Sequence, residues 1–267
     1  MTRIHYAHAH KTYTPGLEMM SLVSNSTFPR HFHELFGIGM IRSGGHRSWS
    51  GIGQIQALPG DLITVNPGEI HDGMSIDSHV RQWDMFYFDP TFVANTLADE
   101  SDRYSEITRP ALNDIRFAGI FSAFCNVINT KTPDMMAIEE MNQLLLHYTF
   151  RHYGTRRYQP VTHSPAVTLA RQRLDDAPEQ PVSLQELAHL TNLSRFQLLR
   201  GFAKEVGLPP HAYLLQQRVH LARKLLATNK SLSDTALEAG FADQSHMTRA
   251  FTRLLGITPG RLRQSLI

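Results

Sequence analysis

One cysteine, Cys125, stands in 267 residues. No internal disulfide can form, which excludes a cross-linked secreted scaffold and fits a reducing cytosol. The thiol sits in the apolar run FSAFCNVI, where cysteine behaves as core rather than as a nucleophile. No stretch reaches the about 20 apolar residues of a membrane span, so no membrane partner is expected. The opening MTRIHYAHAHKTY lacks the apolar centre of a leader peptide, and the expected location is the cytoplasm. Net charge is scarce as well. Lys and Arg number 26 against 24 Asp and Glu, leaving +2, too little to define a nucleic-acid-binding chain alone. The charge is unevenly placed, however. Residues 165–267 hold 13 basic and 8 acidic side chains and residues 1–164 hold 13 and 16, giving +5 and −3. A basic carboxyl-terminal part is what phosphate contact requires. The length itself suggests two domains.

What the sequence does have is a repeat between residues 183 and 264. A short helix carrying Leu-Ala or Thr-Ala leads into a turn, at Thr191, Asn192 and Leu193 and again at Gly240 and Phe241. A second helix follows, with Arg two residues before Phe, and ends at Gly-x-x-Pro. Arg200, Phe202, Gly207 and Pro210 return as Arg249, Phe251, Gly256 and Pro259, each pair 49 residues apart, whereas Ala188 and Ala236 are 48 apart. The second turn therefore carries one extra residue. Ser183 with Glu186 has the spacing of a capping box, and Ser231 or Ser233 can cap the second copy. Helical periodicity turns Leu187, Ala188, Leu193, Leu198, Phe202 and Val206 inward in the first copy, leaving Phe196, Leu199, Arg200 and Ala203 outside. In the second, Ala236, Phe241, Met247, Phe251 and Leu255 go inward, with Ser245, His246, Thr248, Arg249 and Thr252 outside or at the margin. An outer face with few charges but one well-placed Arg suits a helix entering a major groove, where Arg reads guanine O6 and N7 with two parallel hydrogen bonds. A helix over residues 211–227 joins the copies. At about 1.5 Å per residue it is about 25 Å long, stiff enough to hold two recognition helices at the ~34 Å repeat of one DNA turn.

With Arg218, Ala222, Leu225 and Leu226 in the joining helix, and Ala236, Gly240, Phe241, Asp243, Ser245, Arg249, Phe251, Gly256 and Pro259 in the second copy, this region resembles the AraC/XylS family of bacterial transcription regulators. The resemblance covers about 100 residues. It implies that the first recognition helix makes most base contacts, through positions that correspond to Phe196 and Arg200, and that Ser245, His246 and Arg249 contribute from the second. Arg195, Gln197, Leu199, Gln244 and Thr248 complete the expected DNA-binding set. Phe196 departs from a polar contact, because an apolar ring reaches only thymine methyls or sugars.

The amino-terminal half reads as short strands at 17–23, 35–41, 46–50, 54–57, 62–65 and 82–88, separated by Gly-, Pro- and Asn-rich turns. That spacing predicts an antiparallel barrel or sandwich, preceded by an arm of 13 residues with little periodicity. The run from His31 to Glu34 (HFHE), Pro59-Gly60-Asp61 and Asn66 to His71 (NPGEIH) are similar to the cupin-type effector domains of AraC-family regulators. A barrel of this size holds one small ligand in its mouth. His31, His33, Arg42, Trp49, His71, Trp83 and Tyr87 are the candidate effector-binding residues, and His46 and Asp84 are further candidates for the lining. Strand alternation turns about half of such residues outward without revealing which half. Metal-binding cupins use His-x-His, a Glu a few residues on, and a later His. Here His31, His33 and His71 are present, but Gly37 and Ile38 stand where the Glu belongs, and Glu34 should point to the other face of the strand. No metal or other cofactor is therefore expected, the three histidines being the candidates should one bind.

Two helices are expected next. One spans 114–129, with Ile115, Ala118, Phe121, Phe124, Cys125 and Ile128 on one stripe. The other begins at Thr132-Pro133-Asp134 and runs to about 153, with Ile138, Met141, Leu144, Leu145 and Tyr148 apolar. They either cover the barrel or form a dimer contact. Residues 154–165 read as a linker, and Ser164-Pro165 as the start of a helix to about 176, whose Arg171 and Arg173 face phosphate or water. The expected fold is an all-β cupin-like barrel with flanking helices (1–153, barrel about 15–90) and, after the linker, an all-α domain (166–267) of two helix-turn-helix motifs joined by a helix. The expected function is a sequence-specific DNA-binding transcription regulator, an activator, controlled by a small molecule. Its expected partners are double-stranded DNA, the effector, a second copy of the chain and RNA polymerase. The alternatives are a metal-dependent cupin enzyme with a DNA-binding tail, and a regulator whose barrel is only a dimer scaffold.

Overall fold

The computed structural model describes residues 4–98, 106–130, 132, 134–155 and 163–266. The chain divides into two units, Met1–Gln159 and Pro160–Ile267. In the first, strands β1 (His5–His10), β2 (Leu17–Ser24), β3 (Phe28–His31), β4 (Phe36–Ser43), β5 (His46–Ser50), β6 (Gly53–Ala57), β7 (Leu62–Val65), β8 (His71–Ser75) and β9 (Arg81–Phe88) precede a short helix, α1 (Pro90–Thr96). Two-residue strands β10 (Glu106–Ile107) and β11 (Ala111–Leu112) lead into α2 (Ile115–Ile128) and α3 (Met135–Tyr153), and β12 (Gly154–Thr155) closes the unit. One sheet has the order β1-β2-β9-β4-β7-β11 and the other β3-β8-β5-β6, while β10 and β12 pair by themselves.

Alternation along β4 and β9 separates two layers. Phe36, Ile38, Met40, Phe86 and Phe88 join Phe117, Phe121, Phe124, Leu145 and Phe150 in one buried cluster beneath α2 and α3. Trp83 and Tyr87 turn the other way and meet the smaller sheet, Trp83 against Phe28 and His46 and Tyr87 against His33. Gly39 lies on that inner side because a Cβ there would run into the Met85 sulfur and come within 2.8 Å of the Asp84 carbonyl.

Several expectations change. The opening residues are not an arm: His5 to His10 pair with β2 from His5↔Ser24 to His10↔Met19. Only Ala7 of that strand is buried, so the period of two was hidden among polar residues. β3 and β8 are strands beyond the six that the sequence predicts. Ile115 is 92% exposed, because it begins α2 beyond the packed stretch, and Phe117 takes the inward place. Leu144 is exposed too, with Leu146 and Phe150 buried instead. Asp134 caps α3, while Pro133 lies outside the described residues. Of the expected linker, Gly154 and Thr155 pair with β10, and residues 156–162 lie outside the described residues.

The second unit is helical: α4 (Pro165–Asp176), α5 (Leu184–Thr191), α6 (Arg195–Val206), α7 (Pro210–Leu226), α8 (Leu232–Glu238), α9 (Gln244–Leu255) and α10 (Pro259–Leu266). The last helix was not foreseen, although Pro259 starts α10 as Pro210 starts α7, 49 residues earlier. The repeat is thus three helices long, α5-α6-α7 followed by α8-α9-α10, and α7 packs against α4, α6, α8, α9 and α10. The Ser183–Glu186 box is half formed: Ser183 accepts from the Glu186 N–H, but the Glu186 carboxylate pairs with Arg173 at 3.1 Å. The complete capping box is Ser194 with Gln197. Ser231, not Ser233, caps α8. Ser164 precedes α4 without a side-chain cap, its hydroxyl donating to Glu205 at 2.9 Å. In the second copy Leu254 rather than Leu255 is the buried leucine.

Candidate nucleic-acid interface and effector site

Each recognition helix is set by the same local chemistry. α6 starts at Ser194 and α9 at Asp243, 49 residues apart, and each side-chain oxygen accepts a backbone N–H of the first turn. Both helices stop at a glycine in the left-handed region, Gly207 (φ 84°) and Gly256 (φ 72°), where an L side chain would be strained. The turns match as well. Leu193 N–H donates to the Ala188 carbonyl, and Phe241 N–H to Ala236. Ala242 is the extra residue.

Packing then decides which side chains face out. Leu198, Phe202, Met247 and Phe251 are fully buried. Arg195, Gln197, Arg200, Gln244, Ser245 and Arg249 are exposed, with Phe196 70% and Leu199 42% exposed. Among the described residues Arg195, Arg200 and Arg249 make no ion pair or side-chain hydrogen bond. Three of the ten candidates are engaged within the unit: Gln197 closes the capping box, the Thr248 hydroxyl donates to the Gln244 carbonyl at 2.8 Å, and the His246 ring sits edge-on to Phe241. Arg171 and Arg173, rather than standing free for phosphate, are held by Tyr213 with Asp175 and by Glu186.

The first unit sorts its candidates differently. His31 and His71 are direct cross-strand partners, and with His33 their ring centroids lie 4.4, 4.8 and 5.1 Å apart. Tyr87 abuts His33, and Trp83 lies further along the same inner face. Arg42 and Trp49 do not join them. Arg42 points to the helix side of the large sheet, donating to Asp84 at 2.6 Å and to the Ser122 hydroxyl of α2 at 3.1 Å. Trp49 alternates with buried Ser48 and Ser50 on β5 and stacks under Arg30 at 4.0 Å. Two inner groups mattered more than their sequence context suggested. His46 is buried against Arg81 and His71, and its pKa falls to about 3, chiefly by desolvation. Arg81 is fully buried against Trp83 at 4.7 Å, its Nε and Nη1 find no hydrogen-bond acceptor among the described residues, and burial lowers its pKa to about 10. The signal that could have found Arg81 is its period-two spacing from Trp83, Met85 and Tyr87. Cys125 is buried, with its thiol pKa pushed up to about 12 by desolvation, so it is held as a neutral thiol.

A sheeted unit with an inward-facing polar cluster and a helical unit with two capped, arginine-bearing recognition helices define a ligand-responsive DNA-binding regulator. The chain belongs to the AraC family: the AraC-like ligand binding domain matches residues 23–146 and the helix-turn-helix domain residues 187–265. It is 28% identical over 224 residues to YbfI of Bacillus subtilis strain 168, an uncharacterized HTH-type transcriptional regulator, covering 82% of this chain and 81% of that protein. MtrA of Neisseria gonorrhoeae, an HTH-type transcriptional regulator, is 35% identical over 94 residues, spanning 35% of this chain and only 31% of MtrA. ToxT of Vibrio cholerae strain SCE256, solved with an unsaturated fatty acid bound, shares the fold with a TM-score of 0.54 at 11% identity over 97% of this chain and 94% of that one. Among the described residues no helix is long and apolar enough to cross a membrane.

Proposed function

We propose that this AraC-family regulator is a transcription activator that works in the cytoplasm as a homodimer, reads paired sites on double-stranded DNA, contacts RNA polymerase there, and catalyses no reaction. The observation that carries the DNA reading is the pair Arg200 and Arg249, exposed at equivalent positions of two helices and, among the described residues, without an ion pair or side-chain hydrogen bond. A guanidinium without an acidic neighbour is available for guanine or phosphate. Arg195, Phe196, Leu199, Gln244 and Ser245 flank these two. Exposed Ile115, Met136 and Leu144 on α2 and α3 supply apolar surface for the dimer contact. Selection of bound sequences from a random duplex pool tests the reading. The wild type should enrich two boxes, and Arg200→Ala should lose preference at one base pair. Equal enrichment by the Arg200→Ala, Arg249→Ala double variant would remove the assignment.

The effector reading places a small anionic molecule among Trp83, Tyr87, His46 and Arg81. Arg81 Nη2 donates to the Ser26 carbonyl at 3.4 Å, but a buried guanidinium with two nitrogens lacking acceptors is costly, and an acidic ligand would supply its counter-charge. The fatty acid in ToxT is likewise an acid. An effector that binds one conformation better shifts the population competent for DNA by its differential affinity, typically about 1–3 kcal/mol. A thermal-shift panel of carboxylates on wild type and Arg81→Gln checks this. Stabilisation of the wild type alone is expected.

A further inference from the structure

His31, His33 and His71 are brought together from β3, the residues that follow it, and the start of β8. One ring nitrogen of each lies within 4.8 Å of the others. The arrangement also fixes which nitrogens point inward. His31 Nδ1 lies 2.7 Å from the Pro29 carbonyl, and His71 Nδ1 lies 2.9 Å from the Glu69 carbonyl. A carbonyl only accepts, so both Nδ1 atoms carry the hydrogen, and in the neutral ring Nε2 keeps the lone pair. A backbone acceptor behind a ligating imidazole is the usual device for orienting it toward a metal. The supports are themselves held. The Asn66 N–H and side-chain amide both donate to the Glu69 carboxylate at 3.0 Å, and Gly68 N–H donates to the His33 carbonyl at 2.7 Å, tying the turn before β8 to the third histidine. His31 and His71 are buried and His33 is half-buried, so the cluster has dry walls and one open side.

We propose that His31, His33 and His71 form a three-imidazole site for a divalent first-row transition ion, zinc by default, on the inner face of the smaller sheet. In a tetrahedral site with metal–nitrogen bonds of about 2.0–2.1 Å, neighbouring nitrogens stand about 3.3 Å apart. Closing from the present spacing, within 4.8 Å, takes side-chain movements of about an ångström. Three neutral nitrogen donors with no carboxylate select zinc, cobalt, nickel or copper over magnesium and calcium, which require oxygen. Three protein ligands also leave a fourth position open for water or a donor atom of another molecule. The site does not depend on the DNA reading, since it can be measured on the unliganded protein.

The test uses the full chain, stripped with chelator and titrated with cobalt(II) and zinc(II) in the absence of DNA. Expected are one ion per chain, the visible absorption of four-coordinate cobalt, and no comparable binding of magnesium. His71→Ala and His33→Ala should each weaken zinc at least 100-fold. The partly exposed His33 serves as the safeguard if His71→Ala does not fold, as judged by circular dichroism. His8→Ala is the control, because β1 carries its own neighbouring imidazoles, His8 and His10, with ring centroids 4.5 Å apart. Stoichiometric metal that survives His33→Ala and His71→Ala but leaves with His8→Ala would overturn the proposal, as would a folded wild type that binds neither ion. Either result leaves DNA selection unaffected, so the two readings fail separately.

Discussion

The two helix-turn-helix copies share a frame and differ in what fills it. Asn192 and Gly240 occupy the same turn position, 48 residues apart, and both lie in the left-handed region, at φ 53° and 80°. Asn192 is exposed, so its side chain has room, and asparagine tolerates that conformation. Gly240 lies against the chain at Glu179, where a Cβ would come within 2.6 Å of the carbonyl oxygen, and Arg218 from α7 pins that stretch through the Pro178 carbonyl at 2.7 Å. Tyr213 and Leu262, 49 residues apart, fill equivalent buried positions. The tyrosine adds a polar network, donating to Asp175 at 2.6 Å and accepting from Arg171 at 3.0 Å, which the leucine cannot. Outside, the first copy shows Phe196 and Leu199 beside its arginine, whereas the second shows Ser245 and Thr248. The first copy thus exposes apolar surface beside its arginine, and the second exposes shorter polar side chains.

Four experiments probe how far the two copies are alike. The largest effect should come where the copies are alike: Phe202→Ala and Phe251→Ala, both fully buried, should each destabilise the helical unit by about 3–5 kcal/mol in chemical denaturation. A loss confined to one copy would mean that the repeat does not share a core. Exchange of the turn residues comes next. Gly240→Asn should lose about 2–3 kcal/mol through overpacking against Glu179, while Asn192→Gly should change stability by a few tenths. Equal effects would show that room around the turn is not the distinction.

The third concerns alkaline pH. Burial first, then the bond to Asp175, raises the Tyr213 pKa from 10 to about 12. A raised folded pKa means that its contribution is complete below pH 10 and is lost as pH climbs toward 12. About 2 kcal/mol should disappear over that window, and Tyr213→Phe should flatten the difference. An unchanged pH profile in the variant would assign the loss elsewhere. The smallest free energies concern recognition. Arg200→Ala should weaken binding to a selected DNA site by about 1–3 kcal/mol with relaxed preference at one base pair, and Arg249→Ala should cost less. The reverse order, measured by titration at matched salt, would make the second copy the principal reader.

The helical unit was legible because its signals are local. Asn192, Gly207 and Gly256 each impose a backbone state on their own position, and Phe202 and Phe251 repeat at one spacing. α10 carries the same Pro signal as α7, at the end of the repeat. The barrel was legible only as a class. Whether Arg42 or Trp83 faces inward depends on which neighbour each strand acquires, and that is a long-range fact: β9 lies between β2 and β4, not beside β8. The grouping of His31 with His71 likewise requires the β3–β8 pairing across 40 residues. Arg81 is legible only through its period-two spacing from Trp83, Met85 and Tyr87, against the ordinary tendency of a charged residue at a strand start to face water.

The joining helix α7 has one further consequence. It is the closing element of one reader and the floor of the other, so its length is a gauge that cannot be reset in halves. Adding a single residue would swing the second reader by about 100° around the axis, turning its probe away from the face it needs. On the proposed paired-site reading, a chain built this way can accommodate drift in the letters of its boxes, whereas a change in the distance between them calls for a different protein.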